Sequence, residues 1–176
     1  MKNILIILLF VPLFSFAQGW EQIYSIQGAG NSIQQTNDGG YIITGISSAD
    51  IYLLKVDMNG NFEWSNSFSE SFNNNGFSVK QTNDGGYIIA GSKDDISGNP
   101  NMWIIKTDVS GNVQWDTSYS GTPCSIAQTT DGGFILGGTR YITSGPSTGY
   151  SKMSLRKLDS SGGLTWWRTF GTASNV

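Results

Sequence analysis

The stretch SKDDISGNPN holds Asp94, Asp95, Asn99 and Asn101 within eight residues. Carboxylate and amide oxygens are the hard donors that calcium takes. Their spacing matches no calcium-ligand loop, so no metal and no cofactor is assigned, and a solvated polar loop is the simpler reading. A second stretch, TRYITSGPSTGYSK, sets Arg140 beside Tyr141 and Tyr150, a cation and two rings of the kind that stack on and hydrogen-bond a sugar. These seven residues are the candidate ligand-binding set. Catalytic chemistry is harder to build. The chain has no histidine, which removes Ser-His-Asp and Cys-His nucleophile systems and the common zinc sites. Glu21, Glu63, Glu70 and Asp116 are carboxylates that the chain does not repeat, and they show no pairing that would serve glycoside hydrolysis. The only arginines, Arg140, Arg156 and Arg168, fall together near the end. No catalytic residue is assigned, and the protein is expected not to be an enzyme.

The elements that would position these residues come from a repeat. QTNDGGYIIT, QTNDGGYIIA and QTTDGGFILG begin at Gln35, Gln81 and Gln128, and they align the glycine pairs Gly39-Gly40, Gly85-Gly86 and Gly132-Gly133. A second phrase follows each time and aligns Lys55, Lys106 and Lys157, then Asp57, Asp108 and Asp159, then Trp64, Trp115 and Trp166. Each unit reads as four short strands rich in aromatic and β-branched residues. In the first unit they are expected at Ser32–Thr36, Tyr41–Ile46, Ile51–Val56 and Phe62–Phe68, here called A, B, C and D. Asn-Asp-Gly-Gly turns A into B, and Asp-x-x-Gly turns C into D, because glycine accepts positive φ and aspartate bonds to turn backbone. The tryptophans recur with an aromatic four residues later, so each pair points to one face of its strand, where core packing is the expected role.

Short four-stranded meanders at this period are the pattern of β-propeller blades, with a solenoid or a single sandwich as the weaker alternatives. The expected fold is all-β, a partial propeller of three blades at about residues 27–70, 76–121 and 124–172, preceded by an unmatched strand at 19–26. The string GW…QQTNDGGYIITG…LLKVDMNGNFEWSNSF resembles the repeat of bacterial secreted β-propeller proteins. Longer members of that family often end in a sorting domain for the type IX secretion system. The resemblance implies a propeller exported to the cell exterior and implies no particular activity.

Residues 1–17 read as a signal peptide: Lys2, an apolar run from Ile4 to Phe14, and Ser15-Phe16-Ala17 before a cleavage point at Gln18. The run is too short to cross a bilayer, which takes about 20 residues, so no membrane span is expected after its removal. The mature chain would carry nine basic and 13 acidic residues. That balance argues against nucleic acid, whose phosphates need clustered Lys and Arg. Cys124 is the single cysteine, so no intrachain disulfide forms, and it is expected to be a small buried hydrophobe. Four D-type phrases against three A-B-C sets, counting Trp20 and Tyr24 as the fourth, suggest a fragment of a longer propeller. A three-blade protein that closes by oligomerising is the alternative.

The A–B and C–D turns are nearly constant and share one end of the sheets. The B–C connections vary, with 10, 15 and 19 residues from Gly45 to Lys55, Gly91 to Lys106 and Gly138 to Lys157. Variable connections on a constant scaffold are where binding usually lies. The expected function is therefore a non-catalytic binding or surface-interaction module that meets a glycan or a cell-surface protein through that end. The alternative is part of a secreted hydrolase whose catalytic residues lie in other sequence.

Overall fold

Among the described residues twelve strands form, and every one pairs antiparallel with its sequence neighbour inside a sheet of four. The computed structural model describes residues 21–70, 73–143 and 149–171, without the side chains of 141, 143, 149 and 150. The first sheet is β1 (Gly28–Gln35), β2 (Tyr41–Ser47), β3 (Asp50–Val56) and β4 (Phe62–Phe68), in that order. The second is β5 (Asn75–Gln81), β6 (Tyr87–Asp94), β7 (Pro100–Thr107) and β8 (Val113–Ser120). The third is β9 (Thr122–Gln128), β10 (Phe134–Thr143), β11 (Gly149–Leu158) and β12 (Leu164–Phe170). The expected strands of the first unit are present, and there is no helix among the described residues. No helix among them is long and apolar enough to cross a membrane.

Alternation decides what each face does. The first sheet turns Ile42, Ile51, Leu53 and Phe68, with Trp64, toward Val79, Tyr87, Ile89, Trp103 and Ile105 of the second. The second sheet turns Ile88, Ala90, Met102 and Ile104, with Trp115 and Tyr119, toward Ile126, Phe134, Leu136 and Leu158 of the third. The same repeat positions therefore build both seams. Trp64 meets Tyr87 with ring centroids 5.8 Å apart, and Trp115 meets Phe134 at 5.7 Å. Trp64 and Trp115 pack against the two cores, as expected of the repeated tryptophans, whereas Trp166 is 38% exposed. Each of the packed pair also lies over a turn glycine of the next sheet: a Cβ on Gly111 would come within 2.7 Å of Trp64, and one on Gly162 within 2.9 Å of Trp115.

Three expectations need correction. Residues 21–27 form no strand, although 19–26 was expected to be one; residues 19 and 20 and the signal peptide lie outside the described residues. A strand needs a neighbour for its backbone groups, and no described strand pairs with this segment. Tyr24 nevertheless donates its hydroxyl to the Gly60 carbonyl, as Tyr119 of β8 does to Gly162 at 3.0 Å. Cys124 is exposed rather than buried. It is the extra residue of a bulge on β9, where Ser125 faces Gly137 and Pro123 faces Gly138, and the bulge breaks the alternation that would have turned it inward. The third B–C connection is mostly strand rather than loop, since β10 and β11 stay paired from Phe134↔Leu158 out to Thr143↔Gly149.

Candidate functional site

The constant end of the sheets is built around three lysines. Lys55, Lys106 and Lys157 sit on the C strands β3, β7 and β11, with side chains only 3%, 5% and 14% exposed. Each ammonium reaches the aspartate of the neighbouring Asp-Gly-Gly turn: Asp38 at 2.9 Å, Asp84 at 2.8 Å and Asp131 at 2.9 Å. Each also donates to the carbonyl of the following residue, Val56, Thr107 or Leu158. Here the glycine pair finds its reason. The first glycine has φ of +83°, +83° and +81° at Gly39, Gly85 and Gly132, the left-handed region that the turn requires. The second makes room, because a Cβ on Gly40, Gly86 or Gly133 would lie 2.6, 2.8 or 2.5 Å from the lysine Nζ.

Charges held this way are tied to the turn, and the ties shift the carboxyls downward. A hydrogen bond from Thr36, then one from Lys55, holds the Asp38 carboxyl down to about 2. Lys157 and then Thr129 hold Asp131 lower still, well under the ordinary carboxylate range. At Asp84 burial pushes upward, but the bonds from Lys106 and Thr82 outweigh it and the net shift is down. Burial likewise works against the charge of Lys55, yet Glu63 and Asp38 raise its pKa overall. Asp57, Asp108 and Asp159 each cap their own C–D turn; the Asp57 carboxylate, for example, accepts the backbone N–H groups of Asn59 and Asn61 at 2.8 Å. The lysine-to-turn pairing was not read from the sequence, although both partners recur in every unit and that shared period was its signal.

The opposite end, where the B–C hairpins emerge, opens into a cleft of about 550 Å³ between the second and third sheets. That volume lies in the range of small-ligand sites. Asp95, Asn99 and Asn101 line one side, from the β6–β7 hairpin. Ser120 and Thr122, at the junction of β8 and β9, form its floor with Thr139 and Ser151 of the β10–β11 hairpin. The structure thus brings three of the seven predicted residues together. Asp94 lies beside them in sequence but accepts a hydrogen bond from Asn73 at 3.0 Å. Arg140 is on β10, with its guanidinium over the Trp167 ring at 4.5 Å from the centroid. The register sets Tyr141 opposite Ser151 and Tyr150 opposite Ile142; the side chains of both tyrosines lie outside the described residues.

The cleft sets amide and hydroxyl groups beside one carboxylate. Asp95 begins a third Asp-x-x-Gly-Asn turn, Asp95-Ile96-Ser97-Gly98-Asn99, of the type at Asp57 and Asp108. Its carboxylate accepts the backbone N–H groups of Ser97 at 2.8 Å and Asn99 at 2.9 Å. The Asn99 backbone first, then the Asn99 side chain and Ser97, keep its pKa below the ordinary range. Its oxygens are therefore engaged in shaping the hairpin. Among the described residues no group of three or more His, Cys, Asp or Glu side chains is placed to hold a metal ion. What faces the cleft beside Asp95 is amide and hydroxyl. Glu63, Glu70 and Asp116 are each in polar contact elsewhere, with Lys55, Lys93 and the Trp103 indole N–H respectively.

Arg156 is a site residue that sequence reading passed over. It occupies the position held by Leu54 and Ile105 in the other units and is buried between the second and third sheets. Its Nη2 donates to the Ser120 carbonyl at 2.8 Å, which braces the cleft floor from behind, and its Nη1 to Ser154 at 3.3 Å. Burial lowers its pKa, and the charge of Arg140 acts in the same direction. The signal was a charge at a repeat position otherwise apolar.

No family model matches the chain, and no curated protein matches it. A solved structure of a protein of unknown function from Bacteroides caccae is similar to it with a TM-score of 0.37 and 11% identity, over 86% of this chain and 85% of that chain. At that level neither fold nor activity transfers.

Proposed function

We propose that the three sheets are blades of a β-propeller exported to the cell exterior, and that the chain is a non-catalytic binding module whose ligand is a glycan. The side-by-side inner strands support the propeller reading. The Gln81 N–H donates to the Gln34 side chain at 2.8 Å, and the Gln81 side chain accepts the Asn37 N–H at 2.8 Å, stitching β1 to β5 around an inner edge. Gln128 takes the Asn83 N–H at 2.9 Å in the same way. The observation that carries the functional reading is the cleft, a concave site at the end where the hairpins vary, lined by amides and hydroxyls without a poised acid–base pair. Sugars offer many neutral donors and acceptors and suit such a lining. A protein segment is the second class of ligand that this end would accept.

The test is a panel of bacterial and host glycans offered to the full chain, with Asn101→Ala and Ser151→Ala beside it. Saturable binding that falls at least tenfold in both variants, about 1.4 kcal/mol, is expected, with every glycan recovered intact. Binding untouched by both variants would remove the cleft from the reading. Release of a cleaved product would replace it with the hydrolase alternative.

A further inference from the structure

At their variable ends the two seams place charge in different ways. In the first, between the first and second sheets, Lys93 of β6 sits over the Trp103 ring, 4.7 Å from its centroid. Two carboxylates complete the group: Glu70, from the connection after β4, pairs with the ammonium, and Asp116 accepts the Trp103 indole N–H at 2.8 Å. Cation, ring and acid all come from the chain.

The second seam, between the second and third sheets, keeps the cation and the ring and omits the acid. Arg140 holds the repeat position of Lys93 and lies over Trp167, 4.5 Å from the centroid. Trp167 stands where the repeat has Asp116, and Gly121 stands where it has Glu70. A buried cation is added instead. Arg156 replaces the Leu54 and Ile105 of the other units, is 5% exposed, and has for partners the Ser120 carbonyl, the Ser154 hydroxyl and the Met102 thioether. The register sets Arg156 between Leu136 and Trp167 and sets Arg140 beside Lys152, so these side chains share the face that Leu136 turns to the second sheet.

Nothing nearby neutralises this face. Neither Arg140 nor Arg156 forms an ion pair with a carboxylate among the described residues. From Thr117 onward the only acidic side chains in the sequence are Asp131 and Asp159, and both are bound into turns at the constant end. On the second sheet, Asp116 is engaged in the first seam and Asp95 gives its oxygens to its own turn. A buried guanidinium without a counter-charge is costly, and the charge of Arg140 adds to the cost. An apolar residue fills the same position in the other two units, so packing alone does not account for the arginine.

We propose that the missing acid belongs to the ligand: Arg140 and Arg156 form an anion subsite beside the cleft, and the glycan bound there carries a carboxylate, as a uronic acid does. This narrows the glycan reading and rests on it. Ser120 and Gly121 line the cleft, so the place that Glu70 fills in the first seam is open to it. Half-buried Arg140 is the contact residue, because its planar fork matches a carboxylate with two parallel hydrogen bonds. Arg156 is a positioning residue that adds positive charge from beneath and holds the cleft floor through the Ser120 carbonyl. Trp167, 42% exposed, leaves ring surface beside the charge for the apolar face of the sugar.

Isothermal titration of the full chain with oligogalacturonate, oligoalginate and hyaluronan oligosaccharides, each beside its carboxyl-reduced form, tests the assignment. At least one acidic glycan should bind saturably and at least tenfold tighter than its reduced form. Arg140→Gln should abolish that difference and leave binding of the reduced form unchanged. Arg156→Leu, which restores the residue of the first unit, should shrink the difference several-fold without lowering the melting temperature. A marked drop in melting temperature in Arg156→Leu would make that arginine a structural brace and remove it from the subsite. Equal affinity for acidic and reduced forms overturns the inference and leaves the glycan reading in place, as does a preference for the acidic form that both variants retain. Binding of neither form overturns both.

Discussion

Trp115 and Trp166 occupy the same place on the D strands of neighbouring sheets, yet one is packed and the other is not. Trp115 lies edge-on to Phe134 and over Gly162, inside the seam between the second and third sheets. Trp166 has the Arg168 guanidinium 5.9 Å from its ring centroid and stands exposed. The same repeat position thus gives a packed residue in one unit and an open face in the next. The difference lies in what stands opposite, because the energy of an aromatic side chain comes from area removed from water and from contacts made on both of its sides.

The largest expected effect tests this contrast directly. Trp115→Ala should destabilise the protein by about 3 kcal/mol, in the range of large-to-small changes in cores. Trp166→Ala in a dilute sample should cost less than about 1 kcal/mol, as exposed substitutions do. Urea unfolding of the two variants, read by tryptophan fluorescence and circular dichroism, measures both. Equal losses would mean that the third sheet's outer face is covered in solution even at low concentration.

A second pair separates the two demands that a turn glycine meets. Gly111 and Gly132 share a φ of +81°. A Cβ on Gly111 would lie 2.7 Å from the Trp64 ring and 2.4 Å from the Asn66 amide, whereas one on Gly132 meets nothing within 4 Å. Gly132→Ala should cost about 1 kcal/mol for the left-handed backbone alone. Gly111→Ala adds the overpacking of a seam and should reach about 2–3 kcal/mol. If the two variants melted together, the tryptophan would be yielding its place freely, and the seams would be looser than the ring geometry implies.

Strand positions were legible because every unit alternates and ends in a turn that only a few residue types permit. Tyr41–Ile46 and Phe62–Phe68 were readable from their own composition, and β2 and β4 lie there with at most one residue of difference. The tie between Lys106 and Asp84 was not legible in that way, since it joins residues 22 apart in sequence that meet only once β6 and β7 pair. Of the site, Asp95, Asn99 and Asn101 were found through their oxygen content. The hairpin that carries them was mistaken for loop because Gly, Pro and Asn signal a turn without saying how far the flanking strands run on. Thr139 and Ser151 were missed outright: small polar residues become a cleft wall only through the distant strands that bring them beside Ser120.

Acid should weaken the constant end more than the variable one. With the Asp38 carboxyl at about 2 in the folded protein against an ordinary 3.8, the unfolded chain takes up the proton first. The contribution is complete well above pH 4, declines as pH falls below it and is gone below about pH 2. Asp84 and Asp131 are shifted the same way and add to the same window. The melting temperature should therefore fall between pH 4 and 2, and less steeply in Asp38→Asn or Asp84→Asn, which have already lost the tie. A flat profile over that window would show that the lysine ties contribute nothing to folding.

The smallest effect compares one turn in two settings. Asp108 and Asp95 cap Asp-x-x-Gly-Asn turns with the same bonds: Asp108 accepts Ser110 and Asn112 N–H groups at 2.9 and 2.8 Å, Asp95 those of Ser97 and Asn99 at 2.8 and 2.9 Å. The Asp108 turn brings Gly111 into the first seam, under Trp64. The Asp95 turn ends a hairpin that overhangs the sheet and touches the cleft. Asp108→Ala should loosen the seam as well as the turn and lower the melting temperature, while Asp95→Ala should leave it nearly unchanged, since a fraying hairpin end leaves the sheet below it intact. Hydrogen exchange sharpens the comparison: protection should drop across β7 and β8 in the first variant and only at the hairpin tip in the second. Loss of protection along all of β6 and β7 in Asp95→Ala would make that turn a folding element of the second sheet and would leave the overhang less free to serve the cleft.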